Sequence, residues 1–232
     1  MLLEICANSY QSAYNAQHAG AHRIELCSEL SVGGITPSHG LIKQVISELT
    51  IDTFVLIRPR SGNFNYNDSE FEVMKTDIEF CKSVGCHGIV SGVLNADQTL
   101  DLKRTLELIE LAKPLSFTFH RAFDLVPDPL QTLDQLIELG VDRILTSGQQ
   151  TKAIDGLDLL IELNKRSQEK LIILPGSGIN INNVTSFKNS GFKEIHSSAS
   201  KVVSNNQSGI FDTQLTVSSM DNITAILNRI HE

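Results

Sequence analysis

Short apolar runs alternate with longer amphipathic stretches along the whole chain. The short runs are rich in Leu, Ile and Val, which is typical of buried parallel strands. Eight strands are predicted, at 2–6, 23–27, 53–58, 88–92, 116–121, 143–147, 171–175 and 194–197. Between them, helical periodicity opened by polar caps or proline predicts helices at 9–19, 38–49, 69–84, 102–111, 129–139, 154–165 and 182–189.

This order of elements predicts the fold class. Uninterrupted strand-then-helix alternation implies parallel strands joined by right-handed crossovers, and eight such units close a (βα)8 TIM barrel. At 232 residues, the chain fits one α/β domain of this kind spanning 1–232, and no Pro/Ser-rich linker interrupts it before Ser198. A doubly wound open sheet would use the same turns and is the alternative.

A short internal repeat favours the barrel. The pattern Gly-x-x-x-Ile recurs at 20–24, 85–89, 140–144 and 191–195, each time before an even-numbered strand. The glycine is predicted to end a helix in the left-handed conformation, and the isoleucine to begin the strand. Four regular copies suggest a shape built from similar quarters. The polar stretch at 199–220 has only a weak strand pattern. It is predicted to form a long loop over one barrel end, followed by a helix at 222–230.

Composition limits the classes of partner and the compartment. The formal net charge is −8, with both signs scattered along the chain, so no basic stripe indicates nucleic-acid binding. The sequence begins with a strand-like run rather than a charged leader, and no apolar run approaches the ~18 residues of a membrane helix. We therefore expect a cytoplasmic protein that contacts no membrane. Four cysteines are too few for a secreted disulfide framework.

Several polar side chains are predicted to meet inside the barrel. If the repeat isoleucines pack outward, strand alternation directs the following side chains inward: Glu4, Cys6, Glu25, Cys27, Thr118, His120 and His196. Two carboxylates, Glu4 and Glu25, would then lie about 5 Å apart on adjacent strands and would need a compensating cation. Arg58 is predicted to supply it. A buried ion-pair cluster that merely fills a polar core is the alternative.

The strand ends also carry groups suited to acid/base chemistry and anion binding. Glu4, Glu25, His120 and His196 are the candidate catalytic acids and bases. Arginines, an acid and small residues near the ends of the third, fifth, sixth and seventh strands are the candidate anion ligands: Arg58, Arg60, Arg121, Asp124, Ser147, Gly176 and Gly178. Plain polar packing and ordinary tight turns are the competing interpretations.

Two cysteines are candidates for metal binding. Cys6 and Cys27 would lie on one face at the ends of neighbouring strands, where two thiolates suit a soft ion such as Cu(I). They could equally be small core residues. No CxxC or HxxxH spacing supplies four ligands for zinc. Cys81 and Cys86 are interpreted as core residues.

Several blocks of the sequence also resemble a known family. The segments LEIC, HRIELCSELSVGGITPSHGLI, VLIRPRSGNFNY, FTFHRAFD, RILTSG, PGSGI and EIHSS run in order from residue 2 to about residue 198. Together they resemble the copper homeostasis protein CutC family. The resemblance implies a (βα)8 barrel, a cytoplasmic location, homo-oligomers and a role in copper handling, with Cys6 and Cys27 at the positions tied to copper.

Three functions follow from these observations. The first is a copper homeostasis protein that binds Cu(I) through Cys6 and Cys27, and it is the one we favour. The second is an enzyme that acts on a small anionic or phosphorylated metabolite by acid/base chemistry. The third is a scaffold with a vestigial pocket. The predicted partners are accordingly a copper ion or a small anionic metabolite, together with further copies of the chain.

Overall fold

The architecture consists of a parallel sheet surrounded by helices. A computed structural model describes residues 1–206 and 213–232. The parallel strands are β1 (Leu2–Ala7), β2 (Arg23–Leu26), β3 (Asp52–Leu56), β4 (Gly88–Ser91), β5 (Ser116–Phe119), β6 (Arg143–Thr146), β7 (Ile172–Pro175) and β8 (Glu194–Ser197). The helices are α1 (Tyr10–His18), α2 (His39–Glu48), α3 (Asp68–Val84), α4 (Leu102–Ala112), α5 (Pro129–Leu139), α6 (Leu157–Ser167), α7 (Val184–Asn189) and α8 (Met220–His231).

The eight parallel strands form a nearly closed barrel. Their hydrogen-bonded order is β7-β6-β5-β4-β3-β2-β1-β8, so the last parallel strand pairs with the first. The two ends of this order, β7 and β8, lie side by side. The predicted (βα)8 TIM barrel is therefore confirmed, and the carboxyl ends of all eight strands meet at one face.

Local signals set the helix ends as the sequence predicts. The glycines of the four repeats, Gly20, Gly85, Gly140 and Gly191, all have a φ between 78° and 86°, the left-handed conformation that ends a helix without a Cβ penalty. Helix α3, which Gly85 caps at its carboxyl end, begins with a capping box, in which Asn67 and Glu70 each accept a hydrogen bond from the other's backbone N–H.

Apolar side chains divide between two layers. Leu3, Ile5 and Ile24 are fully buried among the helices that surround the barrel. A separate cluster comprises Cys6, Cys27, Phe54, Leu56 and Val90. Alternation along β1, β2 and β3 separates the two sets, and it places Cys6 and Cys27 in the barrel interior as predicted.

The segment at 199–220 differs from the predicted loop. Its described residues form two antiparallel strands, β9 (Ser200–Asn206) and β10 (Thr213–Ser218), while 207–212 lie outside the described residues. The strand β10 is fixed to α1, because Asn15 Nδ2 donates to the Ser218 carbonyl at 2.8 Å and the Ser218 N–H donates to Ser12 Oγ at 3.1 Å. Among the described helices, none has the length and apolar character needed to span a bilayer.

Candidate functional site

A buried ion-pair cluster occupies part of the barrel interior. The Arg23 guanidinium donates from Nε to Glu4 Oε2 at 2.5 Å, and from its terminal nitrogen to Glu194. Arg143 Nε donates to the same Glu194 carboxylate at 3.2 Å. The prediction that Arg58 compensates Glu4 was therefore wrong. Arg23 does so, because it is aligned with Glu4 in the β1–β2 ladder.

The same cluster holds His196 beside Glu4. Their Nδ1 and Oε1 atoms are 2.7 Å apart, and both side chains are buried. Burial alone would raise the pKa of Glu4, but the charges of Arg23 and His196 outweigh it and lower that pKa to about 2. Burial would also lower the pKa of His196, but the hydrogen bond to Glu4 and the nearby carboxylates raise it. The pair is thus a carboxylate facing an imidazole that tends to be protonated.

Glu25 has a different environment from Glu4. Burial raises the pKa of Glu25 to about 7, although the nearby charge of His196 acts in the opposite direction. Its Oε2 atom is buried and has no hydrogen-bond partner among the described residues. The two acids that strand alternation places together therefore differ in character, because only Glu4 has an arginine partner.

The two candidate metal ligands are in direct contact. The Sγ atoms of Cys6 and Cys27 are 3.6 Å apart, and Cys6 Sγ lies 3.9 Å from Glu25 Oε1. The Cys27 hydrogen bond and burial raise the pKa of Cys6 well above its usual value, so without metal it is a neutral thiol. Ligand atoms of Cys6, Glu25 and His196 also lie within 4.8 Å of one another.

This donor set fits a soft metal ion. Two sulfurs bound to one ion at about 2.3 Å each can be at most about 4.6 Å apart, so one ion can reach both Sγ atoms at their observed separation. Thiolates favour Cu(I), and imidazole is also a good copper ligand. Cys6 and Cys27 are therefore the pair that would hold copper here, and the imidazole of His196 lies beside Cys6.

A cavity of about 300 Å³ opens next to these residues. Cys6, Glu25 and His196 contribute to its wall, together with Arg58, His120 and Arg121, which bear hydrogen-bond donors. Its other lining residues come mainly from the loops at the carboxyl ends of the strands. The full lining is Cys6, Glu25, Leu30, Gly33, Leu56, Arg58, Phe64, His120, Arg121, Leu145, Ser177, Gly178, Ile179, His196, Ser197 and Ser198.

Arg58 lines this cavity, and no acid in the described part of the chain pairs with it. Its terminal nitrogens donate to the carbonyls of Val32 at 2.9 Å, Gly34 at 2.7 Å and Gly62 at 2.9 Å, and its guanidinium lies 4.9 Å above the Phe64 ring. Its Nε atom is buried and has no hydrogen-bond partner among the described residues. The loops that follow β2 and β3 are therefore held together by a charge that no described carboxylate neutralises.

His120 presents a second unpaired donor to the cavity. Its Nδ1 accepts the Ala122 N–H at 3.2 Å, so in the neutral ring we assign the hydrogen to Nε2. Burial and the Arg58 charge lower the pKa of His120 to about 3, which keeps the ring neutral near pH 7. The Nε2 atom is buried without a partner in the described structure.

The other candidate anion ligands are arranged around this cavity rather than all within it. Arg121 lines the cavity and is oriented by Asp124 at 2.8 Å and Ser147 at 2.9 Å. Gly178 also lines it. Gly176 instead allows close packing, since an added Cβ would lie 2.5 Å from the side chain of Leu145.

Arg60 lies outside the cavity, although the sequence places it with Arg58. Its Nε donates to Glu70 of α3 at 2.5 Å, and its other donors bind the carbonyls of Ser61, Asn63 and Asn65. The reason is that β3 ends at Leu56. Strand alternation therefore no longer directs the side chains at 58 and 60 to one face.

Comparison with known proteins identifies the family. A sequence model of the CutC family matches residues 1–201. The chain belongs to the CutC family. A CutC family protein from Parabacteroides distasonis is 49% identical over 204 residues, which cover 87% of this chain and 84% of the relative.

Two further CutC relatives agree with this assignment. The human copper homeostasis protein cutC homolog is 45% identical over 199 residues, covering 85% of this chain and 73% of that protein. The crystal structure of a CutC protein from Streptococcus agalactiae superposes with a TM-score of 0.80 at 33% identity, covering 85% of this chain and 98% of that one. The family predicted from the sequence blocks is confirmed.

Proposed function

We propose that this CutC family member binds Cu(I) through Cys6 and Cys27 as part of copper homeostasis. The observation that carries the proposal is the 3.6 Å separation of the two Sγ atoms in the barrel interior. Both side chains are buried, at 5% and 0% exposure. A buried pair of sulfur ligands favours a soft monovalent ion over the harder and more abundant divalent ions.

The neighbours of the pair support the same proposal. His196 offers an imidazole nitrogen and Glu25 a carboxylate oxygen close to Cys6. Glu4 fixes the orientation of the His196 ring through Nδ1, in the way that carboxylates commonly orient metal-binding histidines. The other two cysteines, Cys81 and Cys86, lie among the apolar residues between sheet and helices. Among the described residues, only the first pair therefore has further candidate ligands beside it.

A Cu(I) titration tests this proposal. Under anaerobic reducing conditions, the chain competes with bicinchoninate for Cu(I), and the absorbance of the chelator complex reports the affinity. We expect the double variant Cys6→Ser, Cys27→Ser to bind Cu(I) at least about 100-fold more weakly than the wild type, because both soft ligands are lost. The matched control is Cys81→Ser, Cys86→Ser, which removes the same number of buried thiols elsewhere and is expected to bind like the wild type.

Two results would contradict copper binding at this pair. One is an unchanged affinity in the Cys6, Cys27 variant. The other is an equal loss in the Cys81, Cys86 control, since this would mean that unfolding or non-specific thiol binding explains the effect. Circular dichroism of both variants establishes that each one is folded.

Three further properties belong to the proposal. The free thiols of Cys6 and Cys27, which are in contact without a disulfide, fit a reducing compartment such as the cytoplasm. The CutC resemblance supports self-association of the chain. Acid/base catalysis by Glu25, His120 and His196 stays a prediction. Glu4 is a weaker candidate for that role, because Arg23 and His196 already occupy its carboxylate.

A further inference from the structure

One charge at the cavity, that of Arg58, has no carboxylate partner among the described residues. Three arginines have side chains in or next to the barrel interior, namely Arg23, Arg58 and Arg143. Arg23 and Arg143 both contact Glu194, and Arg23 also contacts Glu4. Arg58 is only 5% exposed, and in the described structure it pairs with no carboxylate. Buried charges in proteins are generally paired, because an isolated one is costly to remove from water. The difference between Arg58 and the other two arginines points to an anion in the cavity.

Unpaired hydrogen-bond donors in the same cavity point the same way. Arg58 Nε and His120 Nε2 are both buried without a partner. Both side chains pack against one aromatic ring, with Arg58 4.9 Å and His120 4.8 Å from the Phe64 centroid. Leaving a buried donor unsatisfied costs about 1–3 kcal/mol, so two such donors at one cavity indicate a group with acceptor oxygens between or beside them.

The loop contacts of Arg58 do not explain its free Nε. Its bonds to the carbonyls of Val32, Gly34 and Gly62 use only the two terminal nitrogens. Those three bonds account for its role in holding the loops. The remaining N–H is left for a ligand or for the nearby Tyr66 hydroxyl, which is itself buried without a partner among the described residues.

The cavity wall also carries a hydrogen-bond acceptor, the carboxyl group of Glu25. Glu25 lines the cavity with an unpaired buried Oε2, which favours a ligand that also carries a hydroxyl group. A carboxylate carries one negative charge and so matches Arg58, the wall arginine without an acidic partner in the described structure, whereas a phosphate dianion would leave one charge uncompensated. A volume of about 300 Å³ lies at the small end of ligand sites.

We propose that this cavity binds a small hydroxycarboxylate, whose carboxylate accepts hydrogen bonds from Arg58 Nε and His120 Nε2 and whose hydroxyl group faces Glu25. This function does not require copper, although Cys6, Glu25 and His196 are shared between the cavity wall and the proposed copper site. The ligand class follows from the chemistry of the wall: donors and a positive charge at one part, an acid at another, and apolar side chains such as Leu56 and Leu145 between the polar groups.

The test is a binding titration of the metal-free full chain in the presence of a phosphine reductant. Glycolate, L-lactate and D-glycerate are titrated separately, with inorganic phosphate as the comparison anion, and the ring ¹⁵N resonances of His120 are followed by NMR. We expect at least one hydroxycarboxylate to bind with a Kd below about 10 mM and to shift the His120 resonances. Phosphate is expected to bind at least about 10-fold more weakly.

Variants separate a binding role from a structural one. Arg58→Lys keeps the charge but loses the Nε donor, and His120→Phe loses the Nε2 donor. Each is expected to weaken hydroxycarboxylate binding, measured for the variants by isothermal titration calorimetry, by about 10-fold or more, which corresponds to one hydrogen bond to a charged group. The matched control is Arg60→Lys, which lies outside the cavity and is expected to leave the affinity unchanged. If Arg58→Lys does not fold, His120→Phe and the wild-type NMR titration decide the matter.

Three outcomes would overturn the proposal. They are the absence of binding by all three hydroxycarboxylates at about 10 mM, unchanged affinity in folded Arg58→Lys and His120→Phe, and tighter binding of phosphate than of any hydroxycarboxylate. No copper is added, so none of these outcomes bears on the proposed Cu(I) site.

Discussion

Replacing Arg23 with methionine is expected to lower the free energy of unfolding by about 3–5 kcal/mol. The Arg23 side chain is 4% exposed, and it pairs with Glu4 and Glu194, whose side chains are 1% and 8% exposed. Methionine fills similar volume but leaves Glu4 without its guanidinium partner and weakens the compensation of Glu194. Removing one member of a buried charge cluster leaves uncompensated charge in a medium that solvates it poorly. Guanidinium chloride unfolding followed by circular dichroism measures the effect.

Arg166→Met is the matched control for this prediction. Arg166 pairs with Asp134 at the surface, and both side chains are nearly half exposed. We expect its loss to change the free energy of unfolding by less than about 1 kcal/mol, since water replaces the partner. Similar losses in the two variants would mean that the interior ion cluster does not contribute to the stability of the barrel.

Replacing Gly88 with valine is expected to lower the free energy of unfolding by about 3 kcal/mol. A Cβ at this position in β4 would lie 2.5 Å from ring carbons of Phe54. That ring cannot easily move, because the guanidinium groups of Arg23 and Arg143 lie 4.7 and 4.9 Å from its centroid. Valine favours strands more than glycine does, so a loss of stability would come from steric overlap. Chemical denaturation provides the measurement.

The control for Gly88→Val is the same substitution at an open position. Gly40 lies in α2 and is exposed, and the nearest atom to an added Cβ is Ser38 Oγ at 3.9 Å. Gly40→Val is expected to change stability by no more than about 0.5 kcal/mol. If Gly88→Val is equally harmless, the layer formed by Phe54 and the two arginines is not tightly packed.

Strand alternation correctly predicted which side chains of the first strands face the barrel interior. Successive side chains on a strand face opposite sides, so the outward packing of Ile24 and Ile195 was enough to direct Glu25 and His196 inward. The barrel then brings Cys6 and Cys27 into contact across adjacent strands. These predictions succeed because each depends only on position within a regular strand or, for Cys27, directly after its end.

The same rule would have identified Arg23, which the sequence analysis overlooked. Arg23 lies two residues before Glu25 and therefore shares its face of β2. Arg23 lies at the start of β2, whereas the candidate residues were sought at the carboxyl ends of the strands. Its long side chain nevertheless reaches Glu4.

Side chains beyond the strand ends were predicted less well. Phe64 contacts both Arg58 and His120 but lies in a loop, where no period relates sequence position to direction. Arg60 was misplaced for the same reason. The strands of the 199–220 segment were missed because their polar residues hide the alternation, and their partners are each other rather than the barrel.

Anomalous diffraction at the copper absorption edge tests the central claim most directly. Crystals of the chain loaded anaerobically with one equivalent of Cu(I) are measured on both sides of the edge. We expect a single strong anomalous peak within bonding distance of Cys6 Sγ and Cys27 Sγ. A copper peak bound only by other residues, or no peak at this pair in crystals that contain copper, would contradict the proposed site.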